Sequence, residues 1–117
     1  MDLKTSALNK KESQALRVFA NQVQKAYRRQ VRQMALFGSK ARGDSHPDSD
    51  IDVLVIVNQE DRDLRRRIID IASELSLEFD VLLSPRVVGE KRWQTRQQFS
   101  TYRNIARDMQ AIAGESG

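Results

Sequence analysis

Two aspartates spaced two apart, Asp50 and Asp52, lead directly into the apolar run "IDVLVIV". Side chains alternate faces along a strand, so these two carboxylates would point the same way, ~6.5–7 Å apart. At about 6 Å and an effective dielectric near 20 they would repel by about 3 kcal/mol. Asp is also disfavoured in strands. The pair therefore weakens the fold unless positive charge sits between the acids. An oxygen-preferring divalent ion such as Mg²⁺ supplies that charge, and carboxylates are its usual protein ligands. Asp80, inside the apolar run "LEFDVLLSP", is a candidate third ligand, although Glu78 shares its face. The bland alternative is that Asp50 ends a turn and Asp52 pairs with one of the chain's 20 Lys and Arg residues. For a bare Asp-x-Asp that alternative carries more weight.

Upstream, "FGSKARGDSHPD" follows another short apolar run. Gly38 has no Cβ and lets backbone approach a ligand closely. The Ser39 hydroxyl and the N–H groups of residues 38 to 40 could hold phosphate oxygens. Lys40 and Arg42 add positive charge nearby. Taken alone, this reads more readily as a surface turn with solvated charges. Neither G-x-x-x-x-G-K-[ST] nor G-x-G-x-x-G is present. A phosphate cradle beside a metal-binding acid pair nonetheless forms the parts of a nucleotide triphosphate site, suited to phosphoryl-type transfer. His46 reads as a turn residue before proline more readily than as a general base.

The elements that must hold these groups follow from periodicity. Residues 11 to about 29 read as a helix with Leu16, Phe19, Ala20, Val23 and Tyr27 on one face. Residues 31 to 37 read as a strand stopped by Gly38, and 51 to 57 as a strand covered on both sides. Residues 60 to 76 read as a helix presenting Leu64, Ile68, Ile71 and Leu75, with Arg65, Arg66 and Arg67 on its solvated face. Residues 77 to 85 read as a third strand closed by Pro85, carrying Asp80. From Glu90 to about Ala113 one last amphipathic helix is expected, with Trp93, Phe99 and Tyr102 packing it to the core ahead of the alternative that an exposed subset forms a docking face. The order α-β-β-α-β-α predicts a small α/β (α+β) fold with a mixed three-stranded sheet flanked by helices. At 117 residues, a single domain (1–117, core about 11–113) is expected.

Composition narrows the class. There is no cysteine, which excludes disulfides and thiolate metal sites. No apolar h-region or membrane-length run occurs, so a soluble, cytoplasmic protein with no membrane association is expected. A net charge of +4 with 31% charged residues suits a phosphate-bearing ligand or an acidic partner, and does not require nucleic acid.

Gly38-Ser39, ten intervening residues and Asp50-Ile51-Asp52 resemble the G-S-x10-D-x-D signature of the polymerase-β-type nucleotidyltransferase superfamily. The short length, "GSKARG" and "SDIDVLVIV" look most like its minimal nucleotidyltransferases (MNT), and element order with Asp80 extends the likeness through residue 85. The resemblance implies a polymerase-β-like nucleotidyltransferase fold. It implies that Gly38 and Ser39 bind the nucleotide, beside which Lys40 and Arg42 are read as further nucleotide-binding charge, and that Asp50 and Asp52 bridge two Mg²⁺ ions. Asp80 would complete the metal site and help activate an acceptor hydroxyl. The implied reaction is attack of that hydroxyl on the α-phosphate of ATP, releasing pyrophosphate. Many such proteins resemble antitoxins that adenylylate a tyrosine of a HEPN ribonuclease toxin, which makes a HEPN toxin the implied partner. A catalytically idle antitoxin that acts by binding, or transfer to RNA or an aminoglycoside, are the alternatives. Larger members carry further helices for base and acceptor; here one terminal helix remains, so acceptor binding is expected to depend on a partner.

Overall fold

The structure is a computed structural model describing residues 8–44 and 49–112. Helix α1 (Lys10–Ala26) opens with a capping box, in which Asn9 accepts from the Glu12 N–H while the Glu12 carboxylate accepts from the Asn9 N–H. Strand β1 (Val31–Phe37) leads through Gly38 into a single-turn helix α2 (Ser39–Arg42). Strand β2 (Ile51–Val57), helix α3 (Arg62–Phe79) and strand β3 (Leu83–Gly89) form a β-α-β unit. Helices α4 (Glu90–Thr95) and α5 (Ser100–Asp108) follow, then the two-residue strand β4 (Gln110–Ala111).

The sheet has four strands in the order β3-β2-β1-β4. β1 runs antiparallel to β2 and β4, and β2 runs parallel to β3. The fold is thus the expected mixed sheet flanked by helices, widened by one short strand that the two residues Gln110 and Ala111 could not announce.

The two faces are covered by different helices. Ile51, Val53, Val55 and Val57 meet Leu16, Phe19 and Val23 of α1 and Leu64, Ile68 and Leu75 of α3 in the larger core. The other face carries Ala35, Leu54, Ile56 and Val88 against Ile105, with Phe37, Trp93, Tyr102 and Met109 half-buried around them. A register shift between Val31 and Gln33 puts Val31, Met34 and Leu36 on one side.

Two boundaries differ from the sequence reading. α3 continues to Phe79, because the spacing Leu64, Ile68, Ala72, Leu75 extends to a half-buried Phe79. Asp80 then caps the helix in the left-handed conformation (φ 55°), which Asp tolerates better than most residues. The third strand accordingly runs through Pro85 instead of ending there. Proline is tolerated on an edge strand, and β3 is one. The expected last helix is interrupted by a 3₁₀ turn (Arg96–Gln98) and the extended Phe99. Phe99 is 52% exposed beneath the Arg96 guanidinium, so it does not pack the core as expected, whereas Trp93 and Tyr102 do so edge to face.

Candidate active site

Gly38 sits at φ 76°, ψ −158°, a region closed to side chains with a Cβ. A Cβ added there would also overlap a carboxylate oxygen of Asp52. The register explains this contact: Phe37 lies opposite Asp52, so the turn after β1 passes directly beside that acid. The glycine and the acid that the sequence separates by thirteen residues are in van der Waals contact.

Asp50 is exposed and Asp52 half-buried. Burial pushes the Asp52 carboxyl above its ordinary 3.8, and the neighbouring Asp50 charge adds to the rise. Arg86 and Arg42 pull the other way without cancelling it. The rise reflects lost solvation first and the second carboxylate next, and a divalent cation would offset both. Among the described residues no three His, Cys, Asp or Glu side chains form a metal-holding group. Two carboxylates completed by substrate phosphates nonetheless match the way Mg²⁺ is commonly bound.

The α2 turn is held from several directions. Lys40 is not directed at a phosphate position: it is 2% exposed, and its Nζ lies 2.9 Å from Glu12 Oε2, a buried ion pair joining α2 to the capping box of α1. Gln110 Nε2 donates to the Ala41 carbonyl at 2.9 Å, tying β4 beneath the same turn. Arg42 remains exposed, 3.2 Å from Asp44 and 3.7 Å from Asp108, and close enough to act on Asp52. Ser39 begins α2, its carbonyl accepting from Gly43 and Asp44.

Asp80 is not brought to this pair. Its side chain is 96% exposed at the C-terminus of α3 and lies 3.4 Å from Lys11 Nζ. The β3 residue level with Asp52 is Ser84. His46 and Asp48 lie outside the described residues.

Beside Asp52 a cleft of about 550 Å³ opens along β3, lined by Phe37, Ser84, Arg86, Tyr102, Glu60, Arg65 and Arg92 among others. Glu60 organises its far end, pairing with Arg92 (2.9 Å) and Arg65 (3.5 Å) and accepting from the Gly89 N–H (3.2 Å). Neither Arg86 nor Glu60 was picked out from the sequence. The signal for Arg86 was a charged residue inside "VLLSPRVVG", hidden once Pro85 was read as a terminator.

The nucleotidyltransferase domain family matches over residues 16–111. A provisionally named protein adenylyltransferase of Methanocaldococcus jannaschii is 35% identical over 94 residues, spanning 80% of this chain and 90% of that protein. A second one from the same organism is 49% identical over 51 residues, 43% of this chain and 52% of its own length. Among solved structures, a toxin–antitoxin complex with AMP-PNP superposes with a TM-score of 0.54 at 19% identity, covering 84% of this chain and 73% of that one. A provisionally assigned minimal nucleotidyltransferase superposes at 0.50 and 24% identity, covering 86% and 93%. At these identities the structural likenesses speak for the fold alone. Among the described residues no helix is long and apolar enough to cross a membrane. With Gly-Ser and Asp-x-Asp meeting at one point, and with the family match spanning the whole β-α-β framework that positions them, this chain belongs to the nucleotidyltransferase domain family.

Proposed function

We propose that this nucleotidyltransferase transfers AMP from ATP to a hydroxyl of a protein partner, a tyrosine of a HEPN-type toxin, and so acts as its antitoxin. The contact between Gly38 and the Asp52 carboxylate carries this reading. It sets a turn open to phosphate oxygens against an acid pair that needs a cation. Asp50 and Asp52 would hold Mg²⁺, two ions in the full arrangement, and Gly38 and Ser39 would face the triphosphate. When bound, the cation supplies charge neutralisation of the reacting phosphate and its leaving group. Arg42 adds charge at the rim, and Lys40 contributes by fixing α2. The protein-acceptor assignment is supported by the relative of 35% identity and its name. The toxin assignment is supported by the toxin–antitoxin complexes that share the fold.

The experiment is incubation with α-labelled ATP and Mg²⁺ together with extract of the source cells or the product of the adjacent gene. Label on a protein, lost in Asp50→Asn and Asp52→Asn, is the expected result. A second reading, neutralisation by binding alone, is favoured by the absence of a third carboxylate beside Asp52 among the described residues. Wild type that labels nothing, while both variants still neutralise the partner, would establish that reading instead.

A further inference from the structure

Strand β2 lies between β1 and β3, and Asp52 has a different kind of neighbour on each side. Toward β1 stand Phe37 and the Gly38–Ser39 turn. Toward β3, Ser84 is level with Asp52 and Arg86 is level with Leu54. Since residues two apart share a face, Ser84, Arg86 and Asp52 all look out on the same side of the sheet. Arg86 lines the cleft with Asp52, and its charge is felt there.

The other arginines nearby are engaged. Arg65 and Arg92 pair with Glu60, and Arg42 pairs with Asp44 and Asp108. Arg86 enters none of the ion pairs formed among the described residues. An exposed charged residue in a seven-residue strand, on the face of Asp52 and in none of those ion pairs, is placed for a ligand.

Which ligand follows from the geometry of displacement at phosphorus. Attacking and leaving oxygens lie roughly in line on opposite sides of the α-phosphate. On the transfer reading above, the triphosphate tail would lie over the Gly38–Ser39 turn, which sends pyrophosphate toward β1 and brings the attacking oxygen in from β3. We propose that Arg86 is the acceptor-contacting residue of the reaction, its guanidinium donating a hydrogen bond to the oxygen of the incoming hydroxyl. This rests on the transfer reading above. The acceptor oxygen forms its bond to the α-phosphorus, the bond to pyrophosphate breaks with its electron pair on the leaving oxygen, and the hydroxyl proton passes to solvent water. A guanidinium stays protonated throughout, so Arg86 does not act as the base; it stabilises negative charge growing on the acceptor oxygen.

The test compares wild type, Arg86→Gln and Arg86→Lys by calorimetric binding of Mg²⁺-ATP and by the rate of labelling of the acceptor band at saturating ATP. Arg86→Gln is expected to bind Mg²⁺-ATP within about twofold of wild type while labelling about a hundredfold more slowly, the scale seen when one charge-stabilising donor is removed. Arg86→Lys, which restores the charge but not the fork, is expected to recover about tenfold of that loss. Labelling by Arg86→Gln at the wild-type rate overturns the assignment alone. So does a loss of Mg²⁺-ATP affinity of about tenfold or more, since it puts Arg86 on the nucleotide. Wild type that binds Mg²⁺-ATP but labels no protein overturns the transfer reading, and this assignment with it.

Discussion

Lys40 offers the sharpest test of how the Gly-Ser turn is held. The sequence placed its ammonium at a phosphate; the structure buries it against Glu12 at 2.9 Å, with both side chains under 10% exposed. Lys40→Met would leave the Glu12 carboxylate buried without its cation. Removing one partner of a buried ion pair typically costs about 3–5 kcal/mol. For a chain of this size, at about 4 °C per kcal/mol, the melting temperature should fall by about 12–20 °C. Against a total stability of about 5–15 kcal/mol that is a large share. Glu12→Gln should be comparably damaging, since it strands the ammonium while keeping an oxygen for the Asn9 N–H.

Combining the two removes both charges, and the double variant should lie within about 2 kcal/mol of wild type. The two single changes then fall short of additivity by at least about 4 kcal/mol, a coupling expected only of groups in contact. Denaturant unfolding of the four proteins measures this directly. Nucleotide binding adds a second readout. If Lys40 only positions α2, the refolded double variant binds Mg²⁺-ATP within a few-fold of wild type. Additive stability losses below about 1 kcal/mol each would refute the buried-pair reasoning, and a double variant that is stable but no longer binds ATP would return Lys40 to the phosphates.

Three further outcomes follow from the same geometry. Asp52→Asn should raise the melting temperature of the ligand-free protein at neutral pH. The Asp52 carboxyl is pushed up in the folded state, so the folded chain holds more protons than the unfolded one and this residue's penalty grows as pH rises through the shifted value; the gain should shrink as pH falls toward 3.8. Gly38→Ala should cost at least about 2–3 kcal/mol and abolish labelling, because it meets both a forbidden backbone region and the Asp52 carboxylate, whereas Gly43→Ala, at φ 85° with open space around it, should cost about 1 kcal/mol and leave labelling intact. Asp80→Asn should change stability by less than about 1 kcal/mol and labelling by less than twofold, given an exposed ion pair with Lys11; a hundredfold loss of labelling would mean that residues 79 to 82 rearrange to bring Asp80 to the metal.

What could be read from the sequence, and what could not, divides along the range of the interactions. The periodicities of 16–23, 51–57 and 64–75 are local, and each gave its element and its buried face. The Gly-Ser and Asp-x-Asp spacing was legible as a motif because both ends lie on adjoining strands of one antiparallel pair, where Phe37 is opposite Asp52. Asp80 fails on a different ground: "LEFDVLLSP" satisfies a strand pattern, but Phe79 completes the α3 face and the helix, already packed on both the sheet and α1, outcompetes the strand for residues 77 to 79. That shift moves β3 onto 83–89 and brings Ser84 and Arg86, not Asp80, beside Asp52. Lys40 fails because nothing local tells a surface lysine from one whose carboxylate sits twenty-eight residues earlier in another helix. The consequence is a redistribution of charge around the acid pair. The cation expected from Lys40 is spent on architecture, the acid expected from Asp80 is turned to solvent, and an unforeseen guanidinium at Arg86 lines the cleft beside Asp52. On the proposed function, a site with two acids and an arginine there, instead of three acids, would rely on its nucleotide to complete the cation shell. It should therefore bind Mg²⁺ weakly alone and much more tightly once ATP is present, a difference that titration of Mg²⁺ with and without nucleotide will expose.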